Sequence, residues 1–334
     1  MSRLQLSYAG HLSDRVQDLY YGRVRPEAID LQFLPLQPFQ AFKRVLAGEF
    51  HCGELSFSTW VIKTALAKAK GETLPFVAIP AFPSRTFRHN AIYVNRKAGI
   101  KRPQDLAGRL VGVPEFQMTA AVWARGMLQH EYGVKATDMR WVTGGLKDPG
   151  RTAMLNITVP GLQIRNEPKK TLNDMLLSGE IDALIAPQLH PAIREGREEV
   201  GYLFPDPAAA AREYYAKTRL FPLMHVVVLR RDVHEQHPWA AVSLYQAFCQ
   251  AKDNALARLE VEEPPPVSLP WLYDYSESIR ALMGRDYWPY GVEKNLREIE
   301  ALCTYTWEQG LVPAKAEIAD LFASSVLSLG DYRL

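Results

Sequence analysis

Short apolar runs alternate with stretches of helical periodicity along this chain, as strands and helices do when they are taken in turn. LQLSYAG (Leu4–Gly10) has the form of a first strand. FQAFKRVLAG then places Phe39, Phe42 and Leu46 at helical spacing, with Gly48 as a stop. CGELSFS reads as a strand running into a polar loop, and LPFVAIPAF (74–82) as a buried strand. NAIYVNR (90–96) is another strand, and RLVGVP a short one. After it Thr119 stands where a helix N-cap belongs, and Gly133 where that helix would end. TLNDMLLSGEIDALIAP predicts a helix, a stop at Gly179 and a strand, and MHVVVLRRDV (224–233) a further strand. A long helix begins at HPWAAV with Pro238 in its first turn and is closed by Pro264, Pro265 and Pro266. The last helix carries Leu296, Ile299, Leu302 and Thr306 on one face and stops at Gly310. Such alternation predicts an α/β architecture with mostly parallel sheets.

Length and charge narrow the picture. At about 100–200 residues per domain, 334 residues point to two domains with room for a real core. Lys and Arg total 39 against 37 Asp and Glu, a net charge of +2 that excludes a broadly basic nucleic-acid coat. Cys52, Cys249 and Cys303 are odd in number and lack CxxC spacing, so neither a disulfide scaffold nor a zinc ribbon is expected. The first residues, MSRLQLSYAGHLSDR, are polar where a signal peptide would be apolar, and no run reaches the roughly 18 apolar residues that span a bilayer. The expectation is a cytoplasmic protein without a membrane partner.

The succession IYVNRKAGIKRPQDLAGRLVGVPE, LSGEIDALIAP and HVVVLRRDVHEQHPW resembles the type 2 periplasmic-binding-protein superfamily. The resemblance implies two α/β lobes joined by two crossing strands, near 90–96 and 224–230, with a cleft between the lobes. Residues 1–95 and 223–334 would form lobe I, and 96–222 lobe II. PAFPSRTFRHNAIYVN, VGVPEFQMTAAVWARGMLQHEYGV, RWVTGGL, FPLMHVVVLRRDV and DYWPYG together resemble the 4,5-dihydroxyphthalate decarboxylase family. That resemblance implies a carboxy-lyase of bacterial phthalate breakdown, which releases carbon dioxide and leaves 3,4-dihydroxybenzoate. A homo-oligomer is implied as well.

Ligands of open α/β sheets sit beyond the carboxyl ends of the strands. Two facing lobes then bring His11, Arg15, Ser56, Ser58, Thr59, Glu115, Thr119, Thr143, Gly144, His190 and His225 to the cleft, together with the segment 84–89. In that segment Arg85, Arg88 and His89 offer two guanidinium forks and a titratable ring, which would bind adjacent carboxylates unless the arginines pair with surface acids. His89 and His225 are the candidates for moving a phenol proton, with Glu115 as partner or proton donor. Trp288 would wall the pocket or pack in the core. No HxH, HExxH, GxGxxG or P-loop is present, so no cofactor is expected, and a divalent ion gathered by distant ligands such as His89, His225 and Glu115 stays open. The reaction needs no organic electron sink, since each carboxyl of the substrate has a hydroxyl para to it. The competing expectation is a solute-binding or sensor protein for an aromatic carboxylate, without catalysis.

Overall fold

The computed structural model describes residues 3–260 and 266–329. Pro264 and Pro265 lie outside that range. In chain order the strands are β1 (Leu4–Gly10), β2 (Ile29–Pro35), β3 (Cys52–Ser56), β4 (Phe76–Arg85), β5 (Ile92–Asn95), β6 (Leu110–Val113), β7 (Arg140–Gly144), β8 (Ile164–Glu167), β9 (Ala183–Ile185), β10 (Val200–Tyr202) and β11 (Leu223–Arg230). The helices are α1 (Asp14–Tyr20), α2 (Pro38–Leu46), α3 (Phe57–Lys70), α4 (Thr119–Tyr132), α5 (Leu172–Ser178), α6 (Pro191–Arg194), α7 (Pro207–Thr218), α8 (Arg231–Gln236), α9 (Trp239–Arg258), α10 (Leu272–Met283), α11 (Leu296–Glu308) and α12 (Ile318–Leu321). Among the described residues no helix is long and apolar enough to cross a membrane.

Two sheets result, one ordered β2-β1-β3-β11-β4 and the other β10-β5-β9-β6-β7-β8. Both are mixed: the first has two parallel pairings and two antiparallel ones, of β11 with β3 and β4, and the second has three parallel pairings and two antiparallel ones, of β5 with β9 and β10. The chain passes between the sheets after Arg85 and returns before Leu223, and there β4 and β11 lie side by side, Arg85 opposite Leu223. Thr86 N–H extends that ladder to Pro222 O at 3.1 Å. The strand expected to carry the first passage, 90–96, instead has both edges hydrogen-bonded inside the second sheet, to β9 and β10. A strand so paired has no backbone groups left to bridge to another layer.

Strand β4 carries Pro80 and Pro83, which cannot donate to a ladder and are tolerated because β4 is an edge. Between Ile79 and Ser84 it bulges, so that Pro80 to Pro83 face the single Val226. The carbonyls the bulge frees are taken elsewhere: Pro80 O by Gly291 N–H, Phe82 O by Trp288 Nε1 and Pro83 O by Arg15 Nε. On the other side of β11, β3 turns straight into α3 at Phe57, where a loop was expected. Helix α3 is buried almost all round, so it shows no amphipathic stripe to betray it. Beyond Arg230 the expected strand is the short helix α8, and α9 ends at Arg258, before the proline cluster. One continuous core joins the two sheets through α3, α4, α9 and α11, and a smaller cluster around Val142, Leu172, Leu176 and Leu184 sits under the second sheet.

Candidate functional site

Alternation along β3 puts Cys52, Glu54 and Ser56 on one face, and antiparallel pairing sets His225 of β11 directly opposite Ser56 and also opposite Ser84 of β4. Glu54 lies on the diagonal, and its Oε1 meets His225 Nδ1 at 2.5 Å. Its other oxygen accepts the N–H of His11 at 2.7 Å. Glu54 is buried. Burial alone would raise its carboxyl, but the charge and hydrogen bond of His225 and the His11 N–H outweigh it and hold the group below its ordinary value. A carboxylate on Nδ1 orients the imidazole and leaves Nε2 to act. Among the described residues Nε2 has no hydrogen-bond partner.

Beside this pair the first turns of α3 and α4 face each other. Ser56 Oγ and Thr119 Oγ1 are 2.8 Å apart, Ser58 N–H donates to Thr119 Oγ1 at 3.1 Å, and Ser58 Oγ donates to Gln117 O at 2.6 Å. Thr59 Oγ1 donates to Ser56 Oγ at 3.1 Å. These hydroxyls are buried and bridge the two sheets' helices. Thr119 was expected to cap α4, but Met118 holds that position, and the threonine hydroxyl is turned to α3 instead.

Glu115 follows on from Gln117. Its four acceptor positions are filled: Arg151 Nε and Nη2 donate to Oε1 at 2.9 and 2.5 Å, while Met154 N–H and Gln117 Nε2 each donate to Oε2 at 2.9 Å. The carboxylate thus acts as an anchor for the long segment between β7 and β8. Arg125 backs the same turn, donating Nη2 to Phe116 O at 2.5 Å and Nε to Gln309 Oε1 at 2.9 Å. Arg151 lies over the Phe39 ring at 3.9 Å, and Phe42, one turn along α2, packs edge-on against His225 at 4.8 Å. The contacts therefore run from His225 through Ser56, Thr119, Ser58, Gln117, Glu115 and Arg151 to Phe39, and α2 completes the circuit by carrying Phe42, which meets His225.

Other candidates lie apart from this circuit, except His11, whose backbone N–H holds Glu54. Arg85 is buried, and its fork serves Phe221 O, Pro289 O and Asn295 Oδ1, with Glu298 at 3.6 Å. Arg88 is buried against the Met224 thioether. Burial pulls both guanidiniums down to about 10. His89 packs between the rings of Phe204 and Tyr214, neither nitrogen has a partner among the described residues, and burial pulls it down to about 4. His190 caps α6, with Nδ1 accepting from Ala192 N–H and Nε2 3.3 Å from Asn173 O. Thr143 faces Arg165 O and Asn166 at the outer side of β7. The glycine pair is explained by crowding: a Cβ at Gly144 would stand 3.0 Å from Glu167 O, and one at Gly145 would overlap Asp148 O. His11 is exposed, and Arg15 lies over Trp288 at 4.1 Å, bonded to Asp14 and Pro83 O. Among the described residues no three His, Cys, Asp or Glu side chains gather as metal ligands, so His89, His225 and Glu115 do not meet.

Sequence reasoning passed over Glu54, Gln117 and Arg151. For Glu54 the signal was a carboxylate inside a short strand, two residues from Ser56. Nothing local marked Arg151, whose role depends on where its segment folds back.

Two mixed sheets with an interposed polar circuit define a two-lobed α/β protein, and comparison with solved structures finds the same fold in periplasmic binding proteins. The chain superposes on the alkanesulfonate-binding protein SsuA from Xanthomonas axonopodis pv. citri (TM-score 0.53, 11% identity, 96% of this chain and 98% of that one). It also superposes on a putative periplasmic sulfonate-binding protein from Methylobacillus flagellatus (TM-score 0.55, 15% identity, 96% and 92%). No protein-family model matches the chain. Its sequence is 39% identical to a 4,5-dihydroxyphthalate decarboxylase of Comamonas testosteroni over 325 residues, 96% of this chain and 97% of the relative. A second relative of that description, from Pseudomonas putida, is 38% identical over 218 residues, 64% of this chain and 83% of the relative. The chain belongs to the 4,5-dihydroxyphthalate decarboxylase family.

Proposed function

We propose that this protein is a carboxy-lyase that converts 4,5-dihydroxyphthalate to 3,4-dihydroxybenzoate and carbon dioxide within the circuit between the two sheets. The observation that carries the reading is His225, held by a buried carboxylate at Nδ1 and unpartnered at Nε2. His225 Nε2 takes the proton of the hydroxyl para to the departing carboxylate. Electron density then moves to the carbon that bears that carboxylate, which takes a proton from solvent. The carbon–carboxylate bond breaks, carbon dioxide leaves, the ring regains aromaticity and the oxygen recovers its proton from His225. Glu54 stabilises the imidazolium formed on the way, and a positioned base of this kind contributes about 10²–10⁴ in rate.

A cation tightly paired with the departing carboxylate would oppose its loss, so charge belongs at the carboxylate that stays. The hydroxyl hydrogens of Ser58 and Thr59 are spent on Gln117 O and Ser56 Oγ, which leaves one of Ser56 and Thr119 as a neutral donor at the first turns of α3 and α4, favouring an anion without pinning it as a salt bridge would. Closure of the two lobes would exclude water and strengthen each of these contacts. The test is incubation of purified protein with 4,5-dihydroxyphthalate, with the product followed by chromatography. Appearance of 3,4-dihydroxybenzoate at an enzyme-dependent rate is expected. Tight binding of the diacid without turnover would overturn the reading and leave a capture or sensing protein.

A further inference from the structure

We infer that Arg151 is the receptor for the carboxylate that stays on the ring. This deepens the proposed decarboxylase reading and rests on its site. Arg151 belongs to the segment between β7 and β8, yet it closes the contact circuit by reaching α2, which packs on the first sheet. Its guanidinium is held in one plane from two sides. Glu115, buried and saturated with donors, binds its Nε and Nη2 edge, and the Phe39 ring supports its face at 3.9 Å. Nη1 has no hydrogen-bond partner among the described residues, and the side chain keeps about a fifth of its surface exposed, at 21%. A fork fixed by a buried carboxylate and an aromatic shelf is preorganised to offer its remaining edge to an anion.

Charge accounting favours the same residue. The substrate is a dianion, and the guanidiniums of Arg85 and Arg88 are buried against carbonyls, Asn295 and Met224. Arg151 supplies a guanidinium to the circuit that also contains His225. Phe39 and Phe42, one turn apart, place the guanidinium and the imidazole along one side of α2. A ring lying along that side would present one carboxylate to Arg151 and a hydroxyl to His225.

Direct binding by calorimetry separates this role from a merely structural one. 3,4-Dihydroxybenzoate carries the retained carboxylate, and catechol is the same ring without it. In Arg151→Met and Arg151→Lys the affinity for 3,4-dihydroxybenzoate should fall by about tenfold or more, while that for catechol should hold within about twofold. Loss of both affinities together, or of neither, would overturn the assignment, and the lysine variant covers the case in which methionine disturbs the fold. Wild-type protein that binds 3,4-dihydroxybenzoate through Arg151 but leaves 4,5-dihydroxyphthalate intact would remove the decarboxylase reading alone. Normal turnover with unchanged KM in both variants would remove the Arg151 assignment alone.

Discussion

Glu54→Gln keeps the length of the side chain and deletes its charge, which makes it the sharpest probe of the Glu54–His225 pair. The carboxylate accepts two short bonds, from His11 N–H at 2.7 Å and from His225 at 2.5 Å. Hydrogen bonds to a charged group contribute roughly 1.5–3 kcal/mol each, and burying a neutral amide costs less than burying a carboxylate. The net loss of stability should therefore be about 1–3 kcal/mol, read from urea or thermal melts. Activity should suffer more. Without the carboxylate the imidazole loses both its orientation and the stabilisation of its protonated form, so kcat should fall by about 10²–10⁴, as it should in His225→Asn.

Because the two residues act as one unit, the double variant should be no slower than the worse single one. The pH dependence of folding gives an independent reading. The carboxyl of Glu54 is held below its ordinary value of 4.5, so it contributes stability that is present above that value and is lost as pH falls through the lower, folded one. Glu54→Gln should flatten the acid limb of the stability curve in that window. Wild-type kcat in Glu54→Gln, or a double variant whose loss equals the product of the two single losses, would refute the pairing.

Three further outcomes follow from the packing. Thr119→Val removes the acceptor of the buried Ser58 N–H, so stability should fall by about 1–3 kcal/mol and KM should rise; unchanged melts and kinetics would remove the hydroxyl cluster from the site. His89→Phe should keep near wild-type kcat, because His89 sits among aromatic rings away from the circuit. With its folded value at about 4 against an ordinary 6.5, His89 makes the protein lose stability as pH falls from 6.5 towards 4, and the phenylalanine variant should lack that slope. A collapse of kcat like that of His225→Asn would return His89 to the chemistry. Gly126→Ala would drive a Cβ to within 2.2 Å of the Tyr305 ring where α4 meets α11, and overpacking of this kind should cost about 1–3 kcal/mol in a melt.

The sequence by itself determined the alternation of strands and helices, because apolar spacing is a local property. It marked β1, α2, β6, α5 and α11, and the stops at Gly133 and Gly179, both of which adopt positive φ. It also picked out Ser56, Ser58, Thr59, Thr119 and His225, but with a polar loop after β3; the structure makes that stretch the first turn of α3, where Ser56 and Ser58 bond to Thr119, Thr59 bonds to Ser56, and Ser56 pairs with His225. Tertiary structure alone decided which charges are spent. Arg85, Arg88 and His89 are prominent in sequence as a basic run, yet carbonyl oxygens, a thioether and aromatic rings from distant parts of the chain enclose them. Glu54 and Arg151 look ordinary in sequence, and they enter the circuit through antiparallel pairing of β3 with β11 and the return of a long segment to Phe39. Hydrophobic period is written residue by residue, whereas the partner of a buried charge is set by which segments the fold brings within a few ångströms of it.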